Sequence, residues 1–226
     1  MGRHFVVSRL LYLVRHGAYD REGSVDDGSL SDTGRQQASL LGERLASTRF
    51  DVVHHSTAAR AIQTVDVLAF SLAPTPRHGD ELLRECIPSV PDRAILTDGQ
   101  RDFFAQLPES ARVDGPKQAA AAVTTYSTVG EKDTRELIVS HGNLINYFVA
   151  RAMDAPSHSW LRPVDYHCGL TIVRYSTGAP PRLLCYNDVG HLTPELRGVE
   201  YPDPLRVLFA VDGRGSSWQA GVHDRR

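Results

Sequence analysis

Three short stretches carry side chains that would do chemistry together: Arg15-His16-Gly17, Ser56 through Arg60, and His141-Gly142-Asn143. Two arginines and two histidines at one place would form an anion site. Arginine suits a phosphoryl group because its planar guanidinium donates to two oxygens at once and keeps its charge. Histidine offers a lone pair or an N–H according to its protonation. Singly, each stretch also fits a strand-end histidine or an exposed helical arginine. The distinguishing feature is that all three follow a short apolar or β-branched run, so the elements beneath them decide whether they meet.

Those elements repeat a pattern. Residues 10–14 read as a buried strand, "DVVHHS" (51–56) as a β-branched strand and "ELIVSH" (136–141) as a third. A helix is predicted over 31–46, capped by Ser31 or Asp32, with Ala38, Leu41 and Leu45 on one face. A second covers "TAARAIQTVDVLAFSLA", where Ile62, Val65 and Leu68 or Ala69 recur at helical spacing, and a third "GNLINYFVARAM". Strand followed by helix, three times over, predicts an α/β fold: a single three-layer domain with a mostly parallel sheet flanked by helices. In such a sheet the strands' C-terminal ends share one edge, where helix N-termini aim N–H groups and positive dipole ends at one crevice.

"GLTIVRYS" and "RLLCYN", around the turn "TGAPP", predict a hairpin closing the sheet. The stretch from about 86 to 116 is rich in Pro, Asp and Gly with one helical candidate near 98–107, and reads as an irregular insert over the sheet edge. The domain is expected over residues 9–198, and residues 199–226 as a C-terminal extension.

With 226 residues, 41% hydrophobic and 23% charged, the chain has material for one sizeable packed domain. A formal net charge of -2 provides no broad basic field, so neither nucleic acid nor a membrane surface is expected as a partner, and an anion site must be local. Cys86, Cys168 and Cys185 are widely spaced with no C-x-x-C pair. The N-terminal "MGRHFVVSRLLYLV" does not read as a signal peptide, and a cytoplasmic location is expected. No apolar run reaches about 18 residues, so no membrane span is expected. Of the ten histidines, His54, His55 and His141 lie near junctions, without a carboxylate or cysteine at ligand spacing, so no metal is expected.

"LVRHG", followed in order by "LSDTGRQQA", "HSTAARAIQT" and "IVSHGN", resembles the histidine phosphatase superfamily, also called phosphoglycerate mutase-like, over roughly residues 9–190. Within it, "LLRECIPSVP" and "SHGNLINYFVARAM" are similar to the mitochondrial serine/threonine protein phosphatase branch. The resemblance implies a cofactor-free, metal-independent phosphomonoester hydrolase working through a phosphohistidine. His16 would be the nucleophile, one ring nitrogen attacking phosphorus and the other fixed by the backbone carbonyl of Gly17. Arg15, Arg60 and His141 would bind the phosphoryl oxygens and stabilise the transferring group. Gly17, Gly142 and Asn143 would complete the phosphate-binding set, with Ser56 either beside it or capping a helix. Glu85 would protonate the leaving alkoxide and then serve as base for water, with Glu22, Glu81 and Asp80 as alternatives.

Departures narrow these expectations. Phosphoglycerate mutases carry a Glu-Arg-His-Tyr-Gly segment where this chain has "LRECIPS", which weighs against a mutase. The branch acting on cobalamin precursors has an acidic-aromatic-Gly stretch there, also missing. The membrane-anchoring extension and tryptophan-aspartate multimerisation motif of the mitochondrial branch do not occur in this sequence, so that address and that assembly are not carried over. The expected partner is a phosphoserine or phosphothreonine protein, with a small phosphomonoester as the alternative and a homodimer as the assembly. A non-catalytic phospho-ligand-binding module is the competing class; His16 together with Glu85 weighs against it.

Overall fold

The computed structural model describes residues 6–20 and 28–198. Six strands form one sheet: β1 (Ser8–Arg15), β2 (Val52–Ser56), β3 (Arg77–Asp80), β4 (Thr134–Ser140), β5 (Leu170–Ser176) and β6 (Ala179–Asp188). Their order is β3-β2-β4-β1-β5-β6. β1 and β4 run parallel with Arg15 opposite Ser140, and β2 is parallel to both β4 and β3. β5 is antiparallel to β1, with Val14 opposite Leu170, and β6 is antiparallel to β5.

Successive residues of a strand face opposite sides, and both sides of this sheet are covered. Leu11 and Leu13 of β1 and Ile138 of β4 pack under α4 (Glu109–Ser127) and α5 (Gly142–Ala152), joined by Phe104 of α3 (Asp98–Gln106) and by Trp160. Val14, Leu137 and Val139 pack on the other side against α1 (Asp32–Leu45) and α2 (Ala59–Leu68) through Leu41, Val65 and Leu68. Three layers result. Ser31 caps α1 by accepting the Gly34 N–H at 3.2 Å, and a Thr97–Gln100 capping box starts α3.

The three predicted strand-to-helix units and the hairpin are all present, with local corrections. Gly178, at a φ of 70°, turns the hairpin, and β6 begins at once, its two prolines tolerated on an edge strand. Ile62 is partly exposed, and Ala61 turns inward with Val65 and Leu68. The stretch 86–116 is less irregular than expected, because α4 starts within it and runs for 19 residues with Pro116 inside. β3, sequence "RHGD", was not expected: it is polar and mostly exposed, held by pairing with β2 alone. The predicted extension, 199–226, lies outside the described residues. Among those described, no helix is long and apolar enough to cross a membrane.

Candidate active site

The C-terminal ends of β1, β2 and β4 lie side by side, and the chain leaving β1 is pinned from every direction. The His16 N–H donates to Ser140 O at 3.0 Å, Gly17 N–H to Thr64 Oγ1 at 3.1 Å, and Ala18 N–H to Gln37 Oε1 at 2.8 Å. This loop rests directly on the first turn of α1. A Cβ on Gly17 would stand 2.6 Å from Gly34 O, and one on Gly34 only 1.9 Å from Ala18 O, so the approach requires both glycines.

Hydrogen bonds around His16 determine its tautomer. Nδ1 lies 2.8 Å from Gly17 O, which only accepts, so Nδ1 carries the hydrogen. Arg60 Nε, which only donates, lies 3.1 Å from Nε2, so Nε2 presents its lone pair. Both contacts fit the neutral imidazole. Burial first, then the charges of Arg60 and Arg15, hold its pKa well below 6.5, against the opposing effect of the Gly17 bond.

His141 is fixed by the same logic. Its Nδ1 accepts from Arg60 Nη2 at 3.2 Å, so Nε2–H donates to Ser56 Oγ at 2.8 Å. Ser56 Oγ also accepts the Ala58 N–H at 3.2 Å, at the entry to α2. Burial, followed by His16, Arg60, Arg15 and Arg84, keeps His141 neutral as well. One guanidinium thus bridges two neutral imidazoles, whose ring centroids are 5.0 Å apart.

Arg15 is buried, and its Nη1 donates to the main-chain carbonyl of Asp165. Gly142, opening α5, packs against the guanidinium: a Cβ there would be 3.6 Å from Arg15 Nε. Glu85 is partly buried and accepts the Cys86 N–H at 3.2 Å and the Asn143 backbone N–H. Burial raises its pKa, outweighing the pull of Arg15 and Arg60 in the other direction. Asn143 Nδ2 donates to Cys86 O at 3.4 Å, tying the Glu85 loop to the start of α5.

His16, Arg15, Arg60, His141, Glu85, Gly17, Gly142, Asn143 and Ser56 are therefore brought to one edge of the sheet. The alternatives to Glu85 are engaged elsewhere or lie outside the described residues. Asp80 caps a 3₁₀ turn and accepts from Tyr126 Oη at 2.7 Å, Glu81 is exposed and takes the Thr57 hydroxyl at 2.6 Å, and Glu22 is not among the described residues. His54 stands 3.4 Å from Glu136, and His55 Nδ1 donates to Ser56 O. Among the described residues, no group of three or more His, Cys, Asp or Glu is placed to hold a metal ion.

Four residues of the site were missed. The His167 ring lies 5.5 Å from that of His16; Tyr19 meets His16 edge-on at 5.3 Å and lies 4.9 Å beneath the Arg60 guanidinium. Arg84 acts electrostatically on His141, and Asp165 holds Arg15. The direction of β5 was the available signal for two of them. An antiparallel strand starts at the edge where its parallel neighbours end, so the residues before Leu170 reach the crevice.

A model of the histidine phosphatase superfamily (branch 1) matches residues 11–91. The chain is 33% identical over 194 residues to "Serine/threonine-protein phosphatase Pgam5, mitochondrial" of Caenorhabditis briggsae, covering 83% of this chain and 65% of that protein. It is 30% identical to the protein of that name from Xenopus tropicalis, over 83% of this chain and 67% of the relative. Among solved structures, YhfR of Bacillus stearothermophilus superposes with a TM-score of 0.64 at 26% identity, over 81% of this chain and 98% of that one. The phosphoglycerate mutase of Plasmodium falciparum gives a TM-score of 0.55 at 25% identity, over 86% and 99%. The expected cytoplasmic location is corrected by these findings, since both curated relatives are mitochondrial by name. Free cysteines fit any reducing compartment and do not discriminate among them.

Proposed function

The chain belongs to the histidine phosphatase superfamily, and on that premise we propose that it hydrolyses phosphomonoesters through a phosphohistidine on His16. The observation that carries the reading is the Nε2 lone pair of a neutral, buried His16, presented among Arg15, Arg60 and His141 with Glu85 beside them. A nucleophilic imidazole needs that lone pair, and a phosphoryl dianion needs the surrounding positive charge.

In the first step Nε2 attacks phosphorus as the ester P–O bond breaks, and Glu85 gives its proton to the departing alkoxide. Its raised pKa supports a carboxyl protonated more readily than an ordinary glutamate. Arg60 releases Nε2 as the lone pair is used and turns its N–H groups from the two imidazoles to the phosphoryl oxygens, joined by Arg15, while the Nε2–H of His141 stays on Ser56 Oγ. In the second step water attacks phosphorus, the ionised Glu85 takes its proton, and the N–P bond breaks to release phosphate and regenerate His16. Gly17 O steadies the imidazolium that forms, by accepting from Nδ1 throughout.

For substrate class we favour phosphoserine and phosphothreonine in proteins, supported by the names of the relatives, which also point to a mitochondrial setting. The deciding experiment compares kcat/KM for phosphorylated peptides and small phosphomonoesters, together with His16→Ala and a rapid alkaline quench that searches for acid-labile, base-stable phosphate on the parent chain. Trapped phosphate, its loss in the variant and a preference for peptides are expected. Turnover in His16→Ala within about tenfold of the parent would exclude covalent catalysis there. A preference for small esters would reassign the substrate.

A further inference from the structure

Asp165, in the loop before β5, is fully buried, yet neither oxygen of its carboxyl has a hydrogen-bond partner among the described residues. The side chains that hold its loop are engaged with the main chain on either side of it. Asn187 of β6, which borders it, accepts from Tyr166 N–H at 2.9 Å and donates to Val164 O at 2.7 Å. Asn146 of α5 donates to Pro163 O at 2.9 Å, and the single hydrogen of the Tyr186 hydroxyl of β6 is shared between Asn146 Oδ1 and Val164 O. The charged and titratable groups facing the carboxyl are Arg15 from β1, Glu85 from the loop after β3, and Cys168 from its own loop. His167, two residues further on, turns its ring to His16.

A buried carboxyl without donors has two tolerable states: neutral, or ionised against a nearby cation. Burial and the charge of Glu85 favour the first, and Arg15 favours the second. The balance leaves Asp165 with a pKa of about 7, raised chiefly by burial. Arg15 is also one of the two arginines of the proposed phosphoryl cage, and it is anchored to the main chain of this same residue. A dianion reaching Arg15 would compete for its charge and add negative charge beside Asp165, offsetting the influence that favours ionisation.

We propose that Asp165, which holds Arg15 in position through its main-chain carbonyl, takes up a proton on its side chain when a phosphoryl dianion enters the cage and engages the charge of Arg15. The inference rests on the phosphoryl-cage reading above. No bond other than the O–H of the carboxyl is made, and the proton comes from solvent or buffer. At acidic pH the carboxyl is already protonated and binding takes up little; at alkaline pH binding must protonate it, and affinity falls.

The test is calorimetric titration of the whole chain with tungstate, a tetrahedral dianion that does not itself titrate near neutrality, in buffers of different ionisation enthalpy. Proton uptake should be small near about pH 6 and approach about one near about pH 8, with affinity falling up to about tenfold per pH unit above 7. Glu85→Gln should keep the uptake with its midpoint moved to lower pH, because the charge of Glu85 helps to hold Asp165 neutral, and Asp165→Asn should lose it while still binding tungstate. Uptake that is flat with pH in the parent, or unchanged in Asp165→Asn, overturns the inference and leaves the cage standing. Failure of the parent to bind tungstate overturns both. Should Asp165→Asn not fold, the pH profiles of the parent and Glu85→Gln decide: a profile lost with Glu85 assigns the proton there and overturns the role of Asp165.

Discussion

Arg60 Nε donates across 3.1 Å to His16 Nε2, the nitrogen that would attack phosphorus, while Nη2 of the same guanidinium donates to His141. A single planar group therefore sets both imidazoles and keeps a proton off His16 Nε2. It also sits where phosphoryl oxygens would replace those nitrogens as acceptors.

Arg60→Ala should lower kcat/KM by about a hundredfold to a thousandfold, the usual range for losing one preorganised donor to a transferring group. The pH profile should move as well. Arg60 is the largest electrostatic cause, after burial, of the lowered His16 pKa. Without it the pKa rises, the imidazolium persists to higher pH, and the acidic limb of kcat/KM shifts alkaline. A rate loss with no shift of that limb would mean that Arg60 binds phosphate without tuning His16.

Glu85→Gln separates leaving groups. An alkoxide from phosphoserine needs a proton on departure, whereas para-nitrophenolate leaves without one. The variant should lose about a hundredfold or more in kcat/KM on phosphoserine substrates and much less on para-nitrophenyl phosphate. Equal losses on both would make Glu85 an electrostatic residue and return the search for the acid to Glu22, Glu81 and Asp80.

Gly34→Ala tests the support of the loop rather than its chemistry. Its new Cβ would fall 1.9 Å from Ala18 O, against backbone rather than a flexible side chain. Destabilisation of about 1–3 kcal/mol is expected by thermal or denaturant unfolding, the range for forced overpacking. Activity at a temperature where the variant stays folded should fall too, since Ala18 is separated from His16 by one residue. Normal activity in the folded variant would show that the loop can shift without moving the nucleophile.

His16, Arg60 and His141 were legible because parallel strands deliver their C-terminal residues to one edge, and apolar runs mark those strands plainly. Three other features were hidden for distinct physical reasons. β3 carries no apolar alternation, since it is an edge strand with little to bury. The Gly115-Pro116 pair reads as a helix breaker, yet α4 runs through it. Pro116 forfeits the bond to Arg112 O, while Gly115 lets the helix approach Ile87, where a Cβ would stand 2.6 Å from the carbonyl oxygen. Asp165 and His167 precede a strand instead of following one, so a search confined to strand-to-helix junctions passes over them. The meeting of the basic residues was readable; the residues that the antiparallel hairpin adds beside them required knowledge of strand direction.

The central position of β1 has a consequence in time. Arg9 of this strand is flanked by Thr134 of β4 and Tyr175 of β5. The segment that ends in His16 is thus made well before its two lateral neighbours. Contacts so distant along the chain close slowly, because the intervening loop must first be ordered. A nascent chain would carry His16 through the synthesis of the intervening residues without the strands that surround its imidazole. Catalytic competence and completion of the sheet would then arrive together, when β5 closes on the opposite side of β1.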